Sequence, residues 1–342
     1  MAPWVRIPPP PPIKMNIIEK IERAGLVGRG GAEYPTAKKW QDVRLAPGDQ
    51  KYVICNASEG EIGLFKDIFI LENYTEQVVR GMILALEYLE TKDAFFNINE
   101  KYYHQIESKI LKIIDKYNQQ GYNIQFFIEE PSYIGGEETA LLNAIEGKRT
   151  EPRLKPPYPS IEGLYGKPTL INNVETFYNV ACVDDNTFSA TRFFSISGKI
   201  KNPGVYQLPD DITIEKLLKE TNNLPDFDFF VQIGGSASGL VLNKEQIKEQ
   251  KMIGAGGLEV YDKTTPPKDV VLRWLKFYQK ESCGKCTPCR VGTYQLYNLV
   301  KNNSEIPWSE VFEILETLKE TSFCALGKSV EVPITSYYKN VL

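Results

Sequence analysis

Three cysteines crowded into one loop constrain this chain more than any other feature. Cys283, Cys286 and Cys289 follow C-x2-C-x2-C spacing in ESCGKCTPCR, and Cys324 in SFCALG follows after 34 intervening residues. Three thiolates from one loop and a remote fourth suit a four-iron cluster. Zinc also takes four cysteines, usually as two separated pairs, and an accidental grouping of free thiols is the third interpretation. The fold must bring two distant segments to one point.

Composition and charge exclude several classes of protein. The chain has 342 residues and a formal net charge of −4, so no basic surface favours nucleic-acid binding. The most apolar helical stretch, VVRGMILALEYL, is too short to cross a bilayer. The N-terminus lacks the apolar core of a signal peptide. We expect a cytoplasmic protein without direct membrane insertion, which partner subunits could hold at the inner face of a membrane.

Four segments follow one another along the chain. Residues 1–15 contain five consecutive prolines and are expected to be a disordered head or an expression remnant. Residues 16–186 alternate strand-like and helix-like stretches, which predicts an α/β domain with a mostly parallel sheet. Residues 187–264 read strand, turn, strand, helix, strand, and suggest a small β-grasp-like module. Residues 265–342 are predominantly helical, and we expect a helical bundle that carries the cysteines.

Four polar, mostly glycine-containing loops fall in the α/β segment: GLVGRGGAEYPTAKKW, NASEGEIG, YIGGEETALLNAIEG and INNVETF. In the first, glycines would let the backbone approach a ligand, and Arg29 and Lys39 could neutralise a phosphate. Each loop also has a simpler interpretation: a plain turn, acids that cap a helix, or adjacent asparagines in a turn or a helix cap. Four such loops in one α/β domain favour a ligand site over these alternatives.

Taken together, these loops, CNASEGEIGLFKD, the proline-rich EPRLKPPYP, and the cysteine motifs make a specific combination. The chain resembles the family of FMN- and NADH-binding flavoprotein subunits of respiratory complex I, which includes diaphorase subunits of NAD-linked hydrogenases and formate dehydrogenases. The resemblance runs from about residue 16 to about residue 326. It implies a Rossmann-like flavin domain, a ubiquitin-like β-grasp module and a C-terminal helical bundle with one 4Fe–4S cluster.

The activity that the resemblance implies is that of an NADH dehydrogenase subunit. A hydride would pass from NADH to FMN, and single electrons would then pass through the 4Fe–4S cluster to a partner. The implied partners are a thioredoxin-like two-iron ferredoxin subunit and further subunits of a complex I-like, hydrogenase or formate dehydrogenase assembly. Because the cofactors carry the reaction, no catalytic side chain is expected.

Site residues follow from the resemblance by motif. The FMN positions are Gly28, Arg29, Gly30, Gly31, Asn56, Glu59, Tyr133, Gly136, Glu137, Asn172 and Asn173. The NADH positions are Tyr34, Lys39, Glu61, Glu138 and Tyr158. The cluster ligands are Cys283, Cys286, Cys289 and Cys324.

The chain departs from the family pattern beside the NADH positions. Glu33 stands where the family has a glycine, Asp42 where it has an aromatic residue, and Ser58 where it has an aspartate. A carboxylate at position 33 would repel an anionic dinucleotide unless it pairs with Lys38 or Lys39. One alternative function is therefore an electron-relay or structural subunit that keeps FMN and cluster with weakened or lost NADH binding. Another is a zinc-stabilised binding protein with an empty nucleotide fold.

Overall fold

The computed structural model describes residues 15–342. The predicted proline-rich head lies outside the described residues, apart from Met15. Within the described part of the chain, no helix is long and apolar enough to cross a membrane.

The first layer is a parallel sheet flanked by helices, as the alternating pattern predicts. Its strands are β1 (Tyr52–Ala57), β2 (Asp93–Asn99), β3 (Asn123–Glu129) and β4 (Thr169–Asn173), in the order β3-β2-β1-β4. All three neighbouring pairs are parallel. The helices are α1 (Ile17–Arg23), α2 (Thr36–Leu45), α3 (Lys66–Leu89), α4 (Glu100–Asn118), α5 (Glu138–Ile145) and α6 (Val174–Asp184).

Apolar periodicity explains how this layer packs. Along α3, Val78, Val79, Met82, Leu86 and Leu89 are buried in the largest hydrophobic cluster of the molecule. This cluster also contains one face of the sheet and the buried face of α6. Residues at helical spacing form one continuous apolar face, and here that face covers one side of the sheet.

The second layer is a five-stranded mixed sheet. Its strands are β5 (Thr191–Gly198), β6 (Gly204–Pro209), β7 (Phe229–Ile233), β8 (Leu240–Asn243) and β9 (Gly257–Asp262), in the order β6-β5-β9-β7-β8. One helix, α7 (Ile214–Glu220), lies between β6 and β7 in the chain. The expected order of strand, turn, strand, helix and strand is present. Two strands, β8 and β9, add to it.

The third layer is helical and holds the cysteine motifs. Its helices are α8 (Pro267–Glu281), α9 (Thr287–Asn302), α10 (Trp308–Thr321), α11 (Ala325–Ser329) and α12 (Glu331–Asn340). Trp274 on α8 and Tyr337 on α12 are buried against each other in its core. Cys283 and Cys286 lie in the connection between α8 and α9, and Cys324 lies between α10 and α11.

The strand order creates a crevice at one edge of the parallel sheet. Strand β1 pairs with β2 on one side and with β4 on the other, so the chain changes direction across the sheet between them. Crevices at such a point, outside the carboxyl ends of the strands, are the usual ligand sites of open α/β sheets. Asn56 and Asn173, at the ends of β1 and β4, are paired in register there.

Candidate functional site

A cleft of about 690 Å³ opens at the carboxyl ends of β1 and β4. This volume lies within the range of small-molecule sites. All three layers contribute walls: the glycine loop at residues 28–34, the loop after β1, two loops of the second sheet, and residues 324–326 of the helical layer. Every position that the resemblance assigns to FMN lines this one cleft.

The glycine loop is shaped by close backbone approach. Gly31 has a φ of 111°, in the region that favours glycine. A Cβ on Gly30 would lie 3.3 Å from the Cβ of Asn173. The cleft-lining Arg29 is buried, and its Nη2 donates to Asp210 of the second layer at 2.6 Å. The Nε of Arg29 is buried without a partner among the described residues, so the loop keeps one donor unused.

A buried charge cluster that was not predicted from the sequence adjoins the cleft, which two of its members, Lys66 and Asp67, line. The ammonium of Lys66 lies 2.6 Å from Asp67 and 3.1 Å from Glu175, and all three side chains are almost fully buried. Burial alone would lower the pKa of Lys66, but the carboxylates, led by Asp67, outweigh it and raise this pKa. Asn173 donates to Asp67 at 2.6 Å, so the cluster is linked to a predicted FMN position.

Glu59 anchors the loop after β1 to the start of α3. Its carboxylate accepts from the backbone N–H of Asp67 and from the hydroxyl of Tyr102, each at 3.0 Å. Burial, followed by the charge of Asp67, raises the pKa of Glu59 to about 8. This carboxyl can therefore hold a proton near neutral pH in the ligand-free cleft.

Glu61, a predicted NADH position, also joins two layers. It accepts from the backbone N–H groups of Ala237 and Ser238 at 2.9 and 3.0 Å, and from the Ser238 hydroxyl at 2.8 Å. Burial raises the pKa of Glu61. A Cβ on Gly235 would lie 2.5 Å from this carboxylate, so the loop before β8 fits closely around it.

The two acids at the N-terminus of α5, Glu137 and Glu138, have different roles. Glu137 caps the helix and accepts from the N–H groups of Thr139 and Ala140, which is the simpler interpretation given above. Glu138 pairs with Lys39 at 3.4 Å and with Lys155 at 3.1 Å. Burial would raise the pKa of Glu138, but these two ammonium groups lower it. Lys155 also pairs with Glu137 at 2.7 Å.

The two tyrosines among the predicted NADH positions are exposed, and only one of them lines the cleft. Tyr34 is 42% exposed, lies in the cleft wall, and donates through its hydroxyl to Asp42 at 3.2 Å. Asp42, which stands where the family has an aromatic residue, therefore has Tyr34 as its hydrogen-bond partner. Tyr158 is 54% exposed and is not among the residues that line the cleft, so the structure does not bring this predicted residue to the site.

The remaining predicted residues lie in the cleft wall with identifiable partners. Asn56 donates to the carbonyl of Gly136 at 3.0 Å, and Asn173 caps α6 by accepting from the N–H of Glu175. The backbone N–H of Tyr133 donates to Glu281 of α8 at 2.8 Å. Asn172 is placed beside the indole N–H of Trp40. The asparagine capping considered from the sequence is present at Asn173.

The four cysteines are brought together by the helical layer. The sulfur of Cys289 and the hydroxyl oxygen of Ser282 are 3.3 Å apart and form a hydrogen bond in which either group can be the donor. Burial raises the pKa of Cys289 to about 11, and the neighbouring thiols of Cys286, Cys324 and Cys283 add to this rise. Cys324 also lines the cleft, so the cysteine group and the cleft share a wall. Among residues 15–342, no three Cys, His, Asp or Glu side chains are arranged to hold a single metal ion.

Glu33 lines the cleft, but it pairs with neither lysine named above. Arg192 of β5 donates to its carboxylate at 3.2 Å. Lys39 is engaged by Glu138, and Lys38 lies 5.9 Å from the ring centroid of Tyr34. The condition considered above, a pairing of Glu33 with Lys38 or Lys39, is thus met by a different cation, Arg192. The carboxylate is neutralised from the second sheet.

Several residues that line the cleft were not among the site residues predicted from the sequence. Lys66 and Asp67 follow directly on the motif EGEIGLF, so their place beside the loop after β1 could have been inferred. Lys155 stands before two prolines in the loop already identified. The loops at residues 233–239 and 253–255 come from the second sheet, and only the packing of the two layers brings them to the cleft.

Comparison with known proteins agrees with this arrangement. Residues 21–182 match the family described as the Nuo51 FMN-binding domain. Residues 269–341 match the iron–sulfur binding region of NADH-ubiquinone oxidoreductase-F. The first match contains the parallel sheet and its loops, and the second contains all four cysteines.

Individual relatives cover almost the whole chain. The second NADH-quinone oxidoreductase F subunit of Rhizobium meliloti is 32% identical over 95% of this chain and 86% of its own length. The NADP-reducing hydrogenase subunit HndC of Solidesulfovibrio fructosivorans is 34% identical over 94% of this chain and 73% of its own.

A solved structure agrees as well. A chain of an NAD+-reducing NiFe-hydrogenase in the H2-reduced state superimposes with a TM-score of 0.87 at 31% identity. The match covers 95% of this chain, which spans 60% of that hydrogenase chain. The chain therefore belongs to the Nuo51 family of flavoprotein subunits, together with the F subunits of NADH-quinone oxidoreductases.

Proposed function

We propose that this chain is the electron-input subunit of a multi-subunit oxidoreductase. The observation that carries this proposal is the single cleft: every predicted FMN position lines it, and Cys324 of the cysteine group lies in the same wall. Bound FMN and a 4Fe–4S cluster would supply hydride acceptance from NADH and single-electron transfer to a partner subunit. The protein's own contribution is to bind, orient and isolate these groups.

The cleft residues fit a flavin mononucleotide. The glycine loop presents backbone at close range, and Arg29 retains an unused, buried Nε donor. The Lys66 cluster and the amides of Asn172 and Asn173 provide polar groups for the ring edge or the ribityl chain. Since the cleft also has an apolar wall with Leu64 and Ile171, it has the mixed lining that ligand sites of this kind require.

The cysteine group fits an iron–sulfur cluster. Cys283 and Cys286 come from the connection between α8 and α9, Cys289 from the first turn of α9, and Cys324 from the connection between α10 and α11. The other three thiols lie near enough to Cys289 to contribute to the rise in its pKa. A cluster would favour the thiolate form, because the positive iron ions stabilise the negative sulfur. The four cysteines are our proposed ligands.

Dinucleotide would enter on the side of Tyr34, Lys39 and Glu138. Lys39 and Lys155 place two cations there, and Glu138 holds both. Tyr34 offers an exposed ring for stacking. We assign Glu61 to this side as well, where it shapes the loop at residues 237–238.

The three layers support the finer architecture. We assign a Rossmann-like flavin domain to residues 16–186, a β-grasp module to residues 187–264 and a helical cluster domain to residues 265–342. The relatives named above are subunits of larger enzymes, which supports a multi-subunit assembly here. A thioredoxin-like two-iron ferredoxin subunit is the partner we propose, in a complex I-like, hydrogenase or formate dehydrogenase assembly at a cytoplasmic location.

An anaerobic titration of the purified holoprotein with NADH tests the function. We expect flavin and iron–sulfur absorbance before addition, and bleaching of the flavin band as NADH is added at micromolar concentrations. Electron paramagnetic resonance of the reduced protein should then show a reduced cluster. A colourless preparation would refute the cofactor assignment and would favour the zinc-stabilised binding protein.

The relay alternative is favoured by one observation, the carboxylate of Glu33 in the cleft wall. If this alternative holds, the preparation is coloured but NADH leaves the flavin oxidised, while dithionite reduces both flavin and cluster. The same titration therefore separates the two functions, and repeating it with NADPH tests the choice of dinucleotide.

A further inference from the structure

Glu33 occupies a backbone position and a site that both disfavour it. Its φ is 50°, in the left-handed region that glycine adopts readily and that is strained for other residues. Its side chain is 46% exposed and lies in the wall of the cleft. An uncompensated carboxylate there would repel the diphosphate of a dinucleotide. Some feature of the fold must offset both disadvantages.

Arg192 provides that compensation from the second sheet. Its side chain is only 2% exposed, and its Nη1 donates to Glu33 at 3.2 Å while its Nη2 donates to the carbonyl of Gly254 at 2.7 Å. Buried guanidinium groups are almost always paired with an anion. Within residues 15–342, Arg192 is the only cation that forms an ion pair with Glu33, and Glu33 is its only carboxylate partner.

A second arginine crosses the same boundary in the opposite direction. Arg29 of the glycine loop pairs with Asp210, which follows β6, at 2.6 Å. Arg192 of β5 pairs with Glu33 of the glycine loop. The loop is thus fastened to the second sheet at two points four residues apart, and Glu33 is directed toward β5 at one of them.

We propose that Arg192 is a positioning residue for dinucleotide binding. It holds the Glu33 carboxylate against the second sheet and cancels its charge, so that the cleft accepts an anionic dinucleotide although a glycine position carries an acid. This inference rests on the proposed function and deepens it, because it names the group that makes this chain's departure from the family pattern compatible with the substrate.

The first expected effect concerns binding of the dinucleotide. With Arg192→Gln, the Glu33 carboxylate loses its partner and can turn into the cleft. We expect the affinity for ADP-ribose, a redox-inactive dinucleotide fragment, to fall about tenfold at low salt, and the loss to shrink as salt screens the charge. The KM for NADH should rise by a similar factor with little change in kcat, and FMN content should stay unchanged.

The double variant Glu33→Gly with Arg192→Gln separates charge from structure. It lacks both members of the pair, so its ADP-ribose affinity should return to within about twofold of the wild type. If the double variant binds as weakly as Arg192→Gln alone, the contact of Arg192 with Gly254 is what matters, and the proposal is wrong. Unchanged binding by Arg192→Gln would also overturn it.

Two substitutions of the partly exposed Glu33, one charged and one neutral, give the same test without changing the buried arginine. Glu33→Asp keeps the charge on a side chain too short to reach Arg192, and Glu33→Asn is its neutral match. We expect weaker ADP-ribose binding by the aspartate variant than by the asparagine variant, and equal binding would contradict the proposal. Failure of NADH to bleach wild-type flavin would refute the proposed function itself, whereas normal bleaching with equal binding refutes only the role of Arg192.

Discussion

Removal of the Lys66 ammonium should destabilise the protein more than loss of any surface ion pair. Lys66 is almost fully buried between Asp67 and Glu175, at 2.6 and 3.1 Å. Lys66→Met would leave two buried carboxylates without their cation. Breaking a buried pair by deleting one partner costs about 3–5 kcal/mol, so we expect a loss of that order in the free energy of unfolding.

Urea denaturation of flavin-free protein, followed by tryptophan fluorescence, measures this loss without a contribution from ligand binding. With a urea dependence of about 3 kcal/mol per molar, the midpoint should fall by roughly 1 M or more. Lys116→Met is a matched control, because Lys116 forms an exposed pair with Glu76 at 3.5 Å. Loss of such a pair costs about 0–1 kcal/mol.

A further variant tests the cause of the destabilisation. Replacing Glu175 by Gln in the Lys66→Met background removes one of the unpaired charges and should recover part of the lost stability. If Lys66→Met shifts the midpoint no more than Lys116→Met does, the buried charge cluster does not stabilise the fold as its geometry implies. If Glu175→Gln brings no recovery, the loss comes from packing instead of charge.

Three other predictions follow from the site. Since the folded pKa of Glu59 is raised to about 8 from 4.5, its stabilising contribution is complete below pH 4.5 and is lost as pH rises through 8. Glu59→Gln should therefore gain in melting temperature relative to the wild type between pH 5 and pH 8, measured without flavin. Gly60→Ala would place a Cβ against the backbone oxygen of Ser132, and we expect the amount of bound FMN, measured by absorbance, to fall severalfold. Gly204→Ala, where the added Cβ would make only ordinary van der Waals contacts, should leave it unchanged. Cys324→Ser should abolish the iron–sulfur spectrum and retain flavin, and Cys182→Ser should leave both spectra intact.

The sequence predicted the parts of the fold that local pattern determines. The strands KYVICNA, DAFFNIN and YNIQFFIE are apolar runs separated by helical periodicity, and all three lie in the parallel sheet. Strands β4, β8 and β9 were not predicted, and the INNVETF segment, expected to be a loop, contains the end of β4 and the start of α6. Strand β8 has only four residues, and β9 is set by its pairing with two distant neighbours.

The candidate site was predictable as a set of loops but not as a set of contacts. The motifs shared with the family gave the FMN positions, and several of these fall in loops that follow parallel strands and so meet at one edge of the sheet. The partner of Glu33 is 159 residues away in the chain, and no local rule connects it to the glycine loop. Tyr158 matches a family motif, but the structure does not place it among the residues that line the cleft.

The bond network around Glu61 has a consequence for how such a protein can be modified by recombination. A residue from the loop after β1 holds backbone N–H groups 176 and 177 positions away in the chain. Replacing residues 187–264 by those of a relative would introduce a loop at positions 237–238 that is not fitted to this chain's Glu61. A successful chimera must therefore transfer the loop after β1, which carries Glu61, together with the loop before β8, which binds it, although the two loops belong to different domains.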